Sequence, residues 1–310
     1  MKIIYDIKDW KEEAIVATIG FFDGVHTGHR FLLQEMRKLA DERHLPSAVI
    51  TFTTHPRKTL QSDYQPKLLN SFDEKMTLLS MTGIDYIIVI EFTADLATLS
   101  AREFITGILS EKLHVKTLLV GYDHRFGHNR VEGFEEYINY GSECGIEVVK
   151  MSPFADKELV VSSSKVRHLI EKGEMVAASR LLGYLYRLKG RVVNGYKVGR
   201  TIGFPTANIA IDEKSKVFPM NGSYAVWVII DNKRYKGMLY IGSRPTLEYE
   251  DPISIEINIF YFSEDIYNKL VVVEFVGFIR EDMKFDSLDE LSARMREDKE
   301  QAEKLLLIDN

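Results

Sequence analysis

Hydrophobic positions along this chain change their period once. In the first half, near-continuous apolar runs at Ile15–Ile19, Ala48–Phe52, Tyr86–Phe92, Thr117–Val120 and Glu147–Met151 alternate with stretches of helical spacing near 28–44, 73–82, 101–112 and 132–144. Short apolar runs separated by amphipathic helices predict a parallel sheet covered on both faces. After about Gly183 the period falls to two. Arg187–Val193, Tyr224–Ile230, Tyr235–Ile241, Ile253–Phe262 and Leu270–Ile279 alternate, with glycines and Asn/Asp pairs between them. That pattern predicts an antiparallel barrel. A last helix, about Leu288 to Leu306, carries Leu288, Leu291, Met295, Ala302 and Leu305 at the spacing of one buried stripe. The expected fold class is α/β followed by all-β, with one domain over 1–183 and the second over 184–310, divided where the period changes.

Composition narrows the function more than the fold. A chain of 310 residues is long enough for two cores, and 45% hydrophobic with 28% charged residues is ordinary for a globular protein. A formal net charge of −6 argues against an electrostatic nucleic-acid binder. Charges break every apolar run of Met1–Trp10, and no stretch approaches the length of a membrane span. Cys144 is the only cysteine, so no internal disulfide can form, which fits a reducing compartment. The expectation is a cytoplasmic protein with small-molecule partners, no nucleic acid and no membrane, acting as a monomer or weak homo-oligomer.

The most informative stretch follows the first apolar run. Strand-like Ile15–Ile19 feeds a turn bracketed by Gly20, Gly24 and Gly28, and the turn feeds a helix. That geometry sets a helix N-terminus against a phosphate. His26 and His29 sit at this point, where two imidazoles can donate to phosphate oxygens as charge builds in a transition state. Two histidines three apart also fit a zinc pair or a core histidine, but no further zinc ligand follows at recognisable spacing. Gly121–Gly127 also directly follows a predicted strand, so the two turns are expected to meet at the C-terminal ends of the strands.

The first half resembles the FMN adenylyltransferase half of bacterial bifunctional riboflavin kinase/FAD synthetases. The matching pieces are Gly-Phe-Phe-Asp-Gly-Val-His-Thr-Gly-His (20–29), Thr-Phe-Thr-Thr-His-Pro-Arg (51–57), Gly-Tyr-Asp-His-Arg-Phe-Gly (121–127) and Ser-Ser-Ser-Lys-Val-Arg (162–167). The resemblance implies a Rossmann-like nucleotidylyltransferase domain that transfers AMP from ATP to FMN. His26, His29 and Arg167 would act on the phosphates. Gly20, Phe22, Asp23, Gly24, Asp123, Ser162, Ser163 and Ser164 would bind ATP, and Phe52, His55, Pro56, Arg125 and Phe126 would bind FMN. Read alone, the three serines are a helix N-cap, and Asp123 is a common type of turn aspartate. The sequence departs from the family's usual residues at Phe21, Thr54, His124 and Glu132.

The second half resembles the riboflavin kinase half of the same family, through Gly-Arg-Thr-Ile-Gly-Phe-Pro-Thr-Ala-Asn (199–208), Asn-Gly-Ser-Tyr-Ala-Val (221–226), Ile-Gly-Ser-Arg-Pro-Thr (241–246), Ile-Glu-Ile-Asn (255–258) and Arg-Glu-Asp-Met-Lys-Phe (280–285). It implies transfer of phosphate from ATP to riboflavin. There is no Walker loop, because Gly195 to Thr201 has the wrong spacing and Arg in place of the lysine. ATP would instead meet Gly199, Arg200, Thr201, Gly203, Phe204, Pro205, Thr206 and Asn208. On an extended segment Thr206 and Asn208 share a face, and their oxygens suit Mg²⁺ bridged to phosphates. Glu256 alternates with isoleucines, the ordinary pattern of a solvated sheet face. The resemblance makes it the general base for the riboflavin 5′-hydroxyl and gives Arg280 a place beside the flavin. Asn258 and Glu281 depart from the family's pattern. Two other readings stay open: a nucleotidylyltransferase with a different acceptor, and a flavin-binding module that has kept its ligands but lost its chemistry.

Overall fold

The computed structural model describes residues 1–55, 67–121, 125–128, 132–151, 161–195, 199, 202–243 and 253–308. Its contacts divide the chain into two compact units, Met1–Ser163 and Ser164–Asn310.

The first unit is built on strands β1 (Lys2–Ile4), β2 (Ile15–Ile19), β3 (Ser47–Phe52), β4 (Tyr86–Ile90), β5 (Val115–Val120) and β6 (Glu147–Lys150). They form one sheet in the order β1-β4-β3-β2-β5-β6, with every neighbouring pair parallel. The sheet is apolar on both faces because alternate residues of each central strand enter different cores. Ile15, Ala17, Ile19, Ala48 and Ile50 pack on one side, and Val16, Val49, Ile87 and Leu119 on the other. Helices α1 (Thr27–Arg43), α2 (Phe72–Ser80), α3 (Ala94–Thr98), α4 (Ala101–Glu103) and α5 (Phe134–Glu143) lie between the strands. The helix expected over 101–112 starts as α4 and continues as a π-helical stretch, Phe104–Ser110, that buries Phe104, Ile105, Ile108 and Leu109. The strand order reverses at β2: the chain moves outward through β3 and β4, then crosses to β5 on the other side of β2. In an open parallel sheet, the crevice at such a switch point is where ligands bind.

Helix α6 (Ser163–Glu171), whose first residue ends the first unit, and α7 (Met175–Leu182) precede the barrel of the second unit. Gly173 between them has φ +74, and a Cβ there would press on Met220 and Phe278. The barrel strands are β7 (Arg187–Val193), β8 (Ala207–Ile211), β9 (Gly222–Ile230), β10 (Lys233–Ser243), β11 (Ile253–Ile259) and β12 (Leu270–Glu281). They close in the order β10-β11-β8-β7-β12-β9, every pair antiparallel. Tyr186, Tyr224 and Phe275 are fully buried.

The last helix, α8 (Leu288–Ile308), covers another apolar face of the barrel strands. Ala302 and Leu306 are buried against Ala225, Trp227, Met238 and Phe260. The stripe differs from the expected one at its start. Leu288 is exposed, while Ser292 and Asp298 are buried. Asp298 holds that position because Arg280 of β12 meets it, with Nε 3.0 and 2.9 Å from its two carboxylate oxygens. Breaking a pair this buried leaves an uncompensated charge, at a cost of about 3–5 kcal/mol.

Candidate active sites

In the first unit the turn after β2 is held in an unusual backbone state. Phe22 has φ 57, Gly24 φ 84 and Val25 φ 35. A left-handed phenylalanine and a left-handed β-branched valine are costly and persist only where their surroundings fix them. The turn delivers His26 as the N-cap of α1, its Nδ1 accepting from the His29 backbone N–H at 3.2 Å. The two imidazoles stack with centroids 3.6 Å apart and planes 13° apart, and the Phe22 ring meets His29 edge-on at 5.1 Å. The paired histidines therefore lie at a helix N-terminus beside the sheet's switch point, where backbone N–H groups favour anions.

The neighbouring residues divide into those that build this turn and those that border it. The Gly20 N–H donates to Ile50 O, extending the β2–β3 ladder. The buried Asp23 carboxylate accepts from Leu69 N–H at 2.9 Å and Asn70 N–H at 3.4 Å, and its backbone carbonyl accepts from Ser163 Oγ at 2.9 Å. Asp23 thus ties three segments together. Ser162 directly precedes α6, while Ser164 and Arg167 fall in the second unit, with Arg167 Nη1 3.4 Å from Ser164 Oγ. Phe52 closes β3 against Phe92 at 5.2 Å, and His55 meets the Phe21 ring at 4.7 Å. Arg125 is exposed. Phe126 is a packing residue, stacked on Tyr137 at 4.3 Å, with its backbone N–H and carbonyl both bonded to the Tyr137 hydroxyl. Pro56 and Asp123 lie outside the described residues.

Sequence reasoning missed Lys75. It sits one turn into α2, where a lysine ordinarily points to water, yet it is only 3% exposed. Its ammonium donates to Phe52 O at 2.8 Å, Phe21 O at 3.2 Å and Thr51 Oγ1 at 3.3 Å, and lies 4.1 Å from the Phe21 ring centroid. Burial pushes its pKa down to about 8, partly opposed by the Asp23 carboxylate.

In the second unit Thr206, Asn208 and Glu256 converge. Glu256 on β11 pairs with Asn208 on β8 and with Tyr240 on β10, so all three side chains leave the sheet on the same face. The Thr206 hydroxyl donates to Glu256 Oε2 at 3.1 Å. Asn258, on the same face two residues on, donates from Nδ2 to Pro205 O at 2.7 Å and fixes the segment that carries Thr206. Phe204 is buried in the core beneath α8, and its N–H donates to Gly199 O at 2.8 Å. Gly203 has φ +82 and completes this turn. The Tyr240 hydroxyl donates to Asp282 at 2.6 Å, and burial followed by that bond raises its pKa. Arg280 stands apart from these oxygens in role, because its guanidinium is committed to Asp298 and lies 5.5 Å from the Phe285 ring. Arg200 and Thr201 lie outside the described residues.

Gly195 is a further residue that its sequence did not mark out. A Cβ there would lie 1.9 Å from Asn208 Nδ2 and 2.6 Å from Cγ. Asn208 is buried and cannot swing away cheaply. Gly195→Ala is expected to displace its amide and cut the activity of this site about tenfold or more, a loss of about 1.4 kcal/mol. Steady-state kinetics on the purified variant check this, and an unchanged rate would show that the Asn208 position does not matter.

Comparisons with known proteins cover both units. The FAD synthetase family profile matches residues 8–165, and the riboflavin kinase profile matches residues 182–306. A bifunctional riboflavin kinase/FMN adenylyltransferase of Escherichia coli is 36% identical over 296 residues, 95% of this chain and 94% of that protein. A protein of the same description from Listeria monocytogenes is 33% identical over 309 residues, 97% of this chain and 96% of its own. A crystal structure described as a macrolide-efflux protein from Streptococcus pneumoniae superposes with a TM-score of 0.87 at 31% identity, covering 97% of this chain and 98% of that one. Among the described residues no helix is long and apolar enough to cross a membrane.

Proposed function

The chain belongs to the bifunctional riboflavin kinase/FMN adenylyltransferase family, and from that premise we propose which residues carry its two reactions. The protein phosphorylates riboflavin with ATP, giving FMN and ADP, and transfers AMP from a second ATP to FMN, giving FAD and pyrophosphate. The adenylyltransferase is the N-terminal activity and the kinase the C-terminal one. We assign the catalytic domains to residues 1–183 and 184–310, the division that the change of hydrophobic period supports. The setting is the cytoplasm, and the chain works as a monomer or weak homo-oligomer on small molecules.

For the kinase, the observation that carries the assignment is the convergence of Thr206 and Glu256, 50 residues apart in sequence, through a 3.1 Å hydrogen bond, with Asn208 directly opposite Glu256. Glu256 accepts the proton of the riboflavin 5′-hydroxyl as that oxygen attacks the γ-phosphorus. Gly199, Arg200, Thr201 and Gly203–Pro205 bind the ATP phosphates through the backbone and local side chains. The Thr206 hydroxyl and Asn208 amide oxygen fit Mg²⁺, a hard ion that takes a few protein oxygens and completes its shell with phosphates and water. No group of three or more His, Cys, Asp or Glu side chains suited to a metal occurs among the described residues. When bound, Mg²⁺ would neutralise charge on the phosphates. Arg280 borders the flavin, its guanidinium held in place by Asp298. Removing divalent cations with a chelator is expected to stop FMN formation, with activity restored by Mg²⁺. Phosphorylation that continues in chelator would remove Thr206 and Asn208 from metal binding.

For the adenylyltransferase, the FMN phosphate is itself the nucleophile, so catalysis consists of positioning and charge stabilisation around the α-phosphorus. The stacked His26–His29 pair at the α1 N-terminus supports donation from these rings to the ATP phosphates. Ser162, Ser163, Ser164 and Arg167 form the second phosphate-binding element, Asp123 meets the adenosine, and Phe52, His55, Pro56, Arg125 and Phe126 border the flavin. Asp23 acts by holding the turn that carries His26.

A further inference from the structure

We propose that Lys75 is a positioning residue for adenylyl transfer, acting through the Phe21 carbonyl to set the turn that presents His26 and His29. The inference rests on the assignment of those histidines to this reaction. A buried ammonium needs acceptors, and Lys75 finds three of them at the C-terminal ends of two adjacent strands: Phe21 O just beyond β2, with Thr51 Oγ1 and Phe52 O at the end of β3. Thr51 Oγ1 also donates to Phe21 O at 3.3 Å, so that carbonyl is held twice. The residue after it, Phe22, is left-handed and meets His29 edge-on. A continuous path therefore runs from Lys75 through the Phe21 carbonyl and the Phe22 ring to the stacked histidines. The ammonium also lies 4.1 Å from the Phe21 ring centroid, and His55 packs against that same ring at 4.7 Å. One cation thus orders both the His turn and the aromatic edge assigned to the flavin.

Sterics alone do not call for a charge here. A methionine fills similar space, but it would leave the Phe52 carbonyl without its lysine donor and the Phe21 carbonyl with only Thr51. The charged and titratable groups around Lys75 are Asp23 from the turn after β2, His55 across the Phe21 ring, and Asp73 and Glu74 on its own helix, Glu74 being engaged in the Ser71 capping box. Asp23 favours the ammonium, whereas burial opposes it. The charged form therefore prevails below about pH 8 and is lost as pH rises through that value.

The test uses the full chain with Lys75→Met and Lys75→Arg, assayed for FMN-to-FAD and riboflavin-to-FMN conversion at pH values on both sides of 8. Lys75→Met should lower kcat for FAD formation at least tenfold, with riboflavin phosphorylation unchanged. Wild-type kcat for FAD formation should fall as pH rises past about 8, and Lys75→Arg, which stays charged, should remove that alkaline fall. A Lys75→Met protein with wild-type kcat, or an alkaline fall that persists in Lys75→Arg, overturns the proposal. The pH profile decides even where the methionine variant is poorly folded. A His29→Ala control separates the two levels: FAD formation that survives in this control refutes the histidine assignment itself, whatever Lys75 does.

Discussion

Glu256→Gln is expected to lower riboflavin phosphorylation by roughly 10²–10⁴-fold, the range that a positioned general base contributes, while conversion of supplied FMN to FAD continues at the wild-type rate. The substitution keeps the shape and the hydrogen-bond acceptor facing Thr206, whose hydroxyl lies 3.1 Å from Glu256 Oε2. It removes the group that takes the 5′-hydroxyl proton. Truncation to alanine would confuse this loss with a packing defect next to the buried Asn208 and Asn258. Flavins separated by chromatography report both conversions from one incubation. Loss of both activities together would mean that the two reactions share Glu256, and the division of chemistry between the halves would fall.

His29→Ala should produce the converse pattern. Its loss removes a donor from the developing charge, worth roughly 10²–10³-fold in kcat by analogy with oxyanion donors, and leaves His26 without its stacking partner, now 3.6 Å away. FMN should accumulate from riboflavin at the normal rate and stop there. Undiminished FAD formation would place His29 outside the site. Together the two variants separate the chemistries by residue.

Much of this architecture was legible because burial imposes a period. β2 and β7 occupy the residues the sequence indicated: β2 is buried on both faces, and β7 alternates buried with exposed positions. β1 escaped notice because it has three residues, none of them fully buried. β8 was hidden because it is short and carries Asn208 near its start, and its place in the barrel comes from pairing with β7 and β11. Contacts also group α6 and α7 with the barrel, although their sequence lies before the change of period. An amphipathic helix pair does not reveal which core its apolar face will cover.

The sites divide along a similar line. His26 and His29 stood out from the turn and helix start, whereas Thr206, Asn208 and Glu256 were singled out by the strings that resemble the family, alternation alone giving Glu256 as a solvated sheet residue. Lys75 and Gly195 had neither signal. A lysine in a helix reads as a solvated charge until the carbonyls of Phe21 and Phe52 are brought to it. Gly195 looks like a failed phosphate loop until Asn208 is seen lying against it. Arg280 is a third case, since the string named it for the flavin side while its pairing with Asp298 comes from α8 and has no local signal.

The most direct measurement is complementation between two damaged proteins. Glu256→Gln and His29→Ala are each incubated alone, and then mixed, with riboflavin, ATP and Mg²⁺, and the flavins are followed in time. The account predicts little product from the first, FMN but little FAD from the second, and FAD from the mixture, because FMN made by one protein is adenylylated by the other. A mixture that accumulates FMN without converting it to FAD, or that leaves riboflavin unchanged, would contradict two separate active sites in one chain.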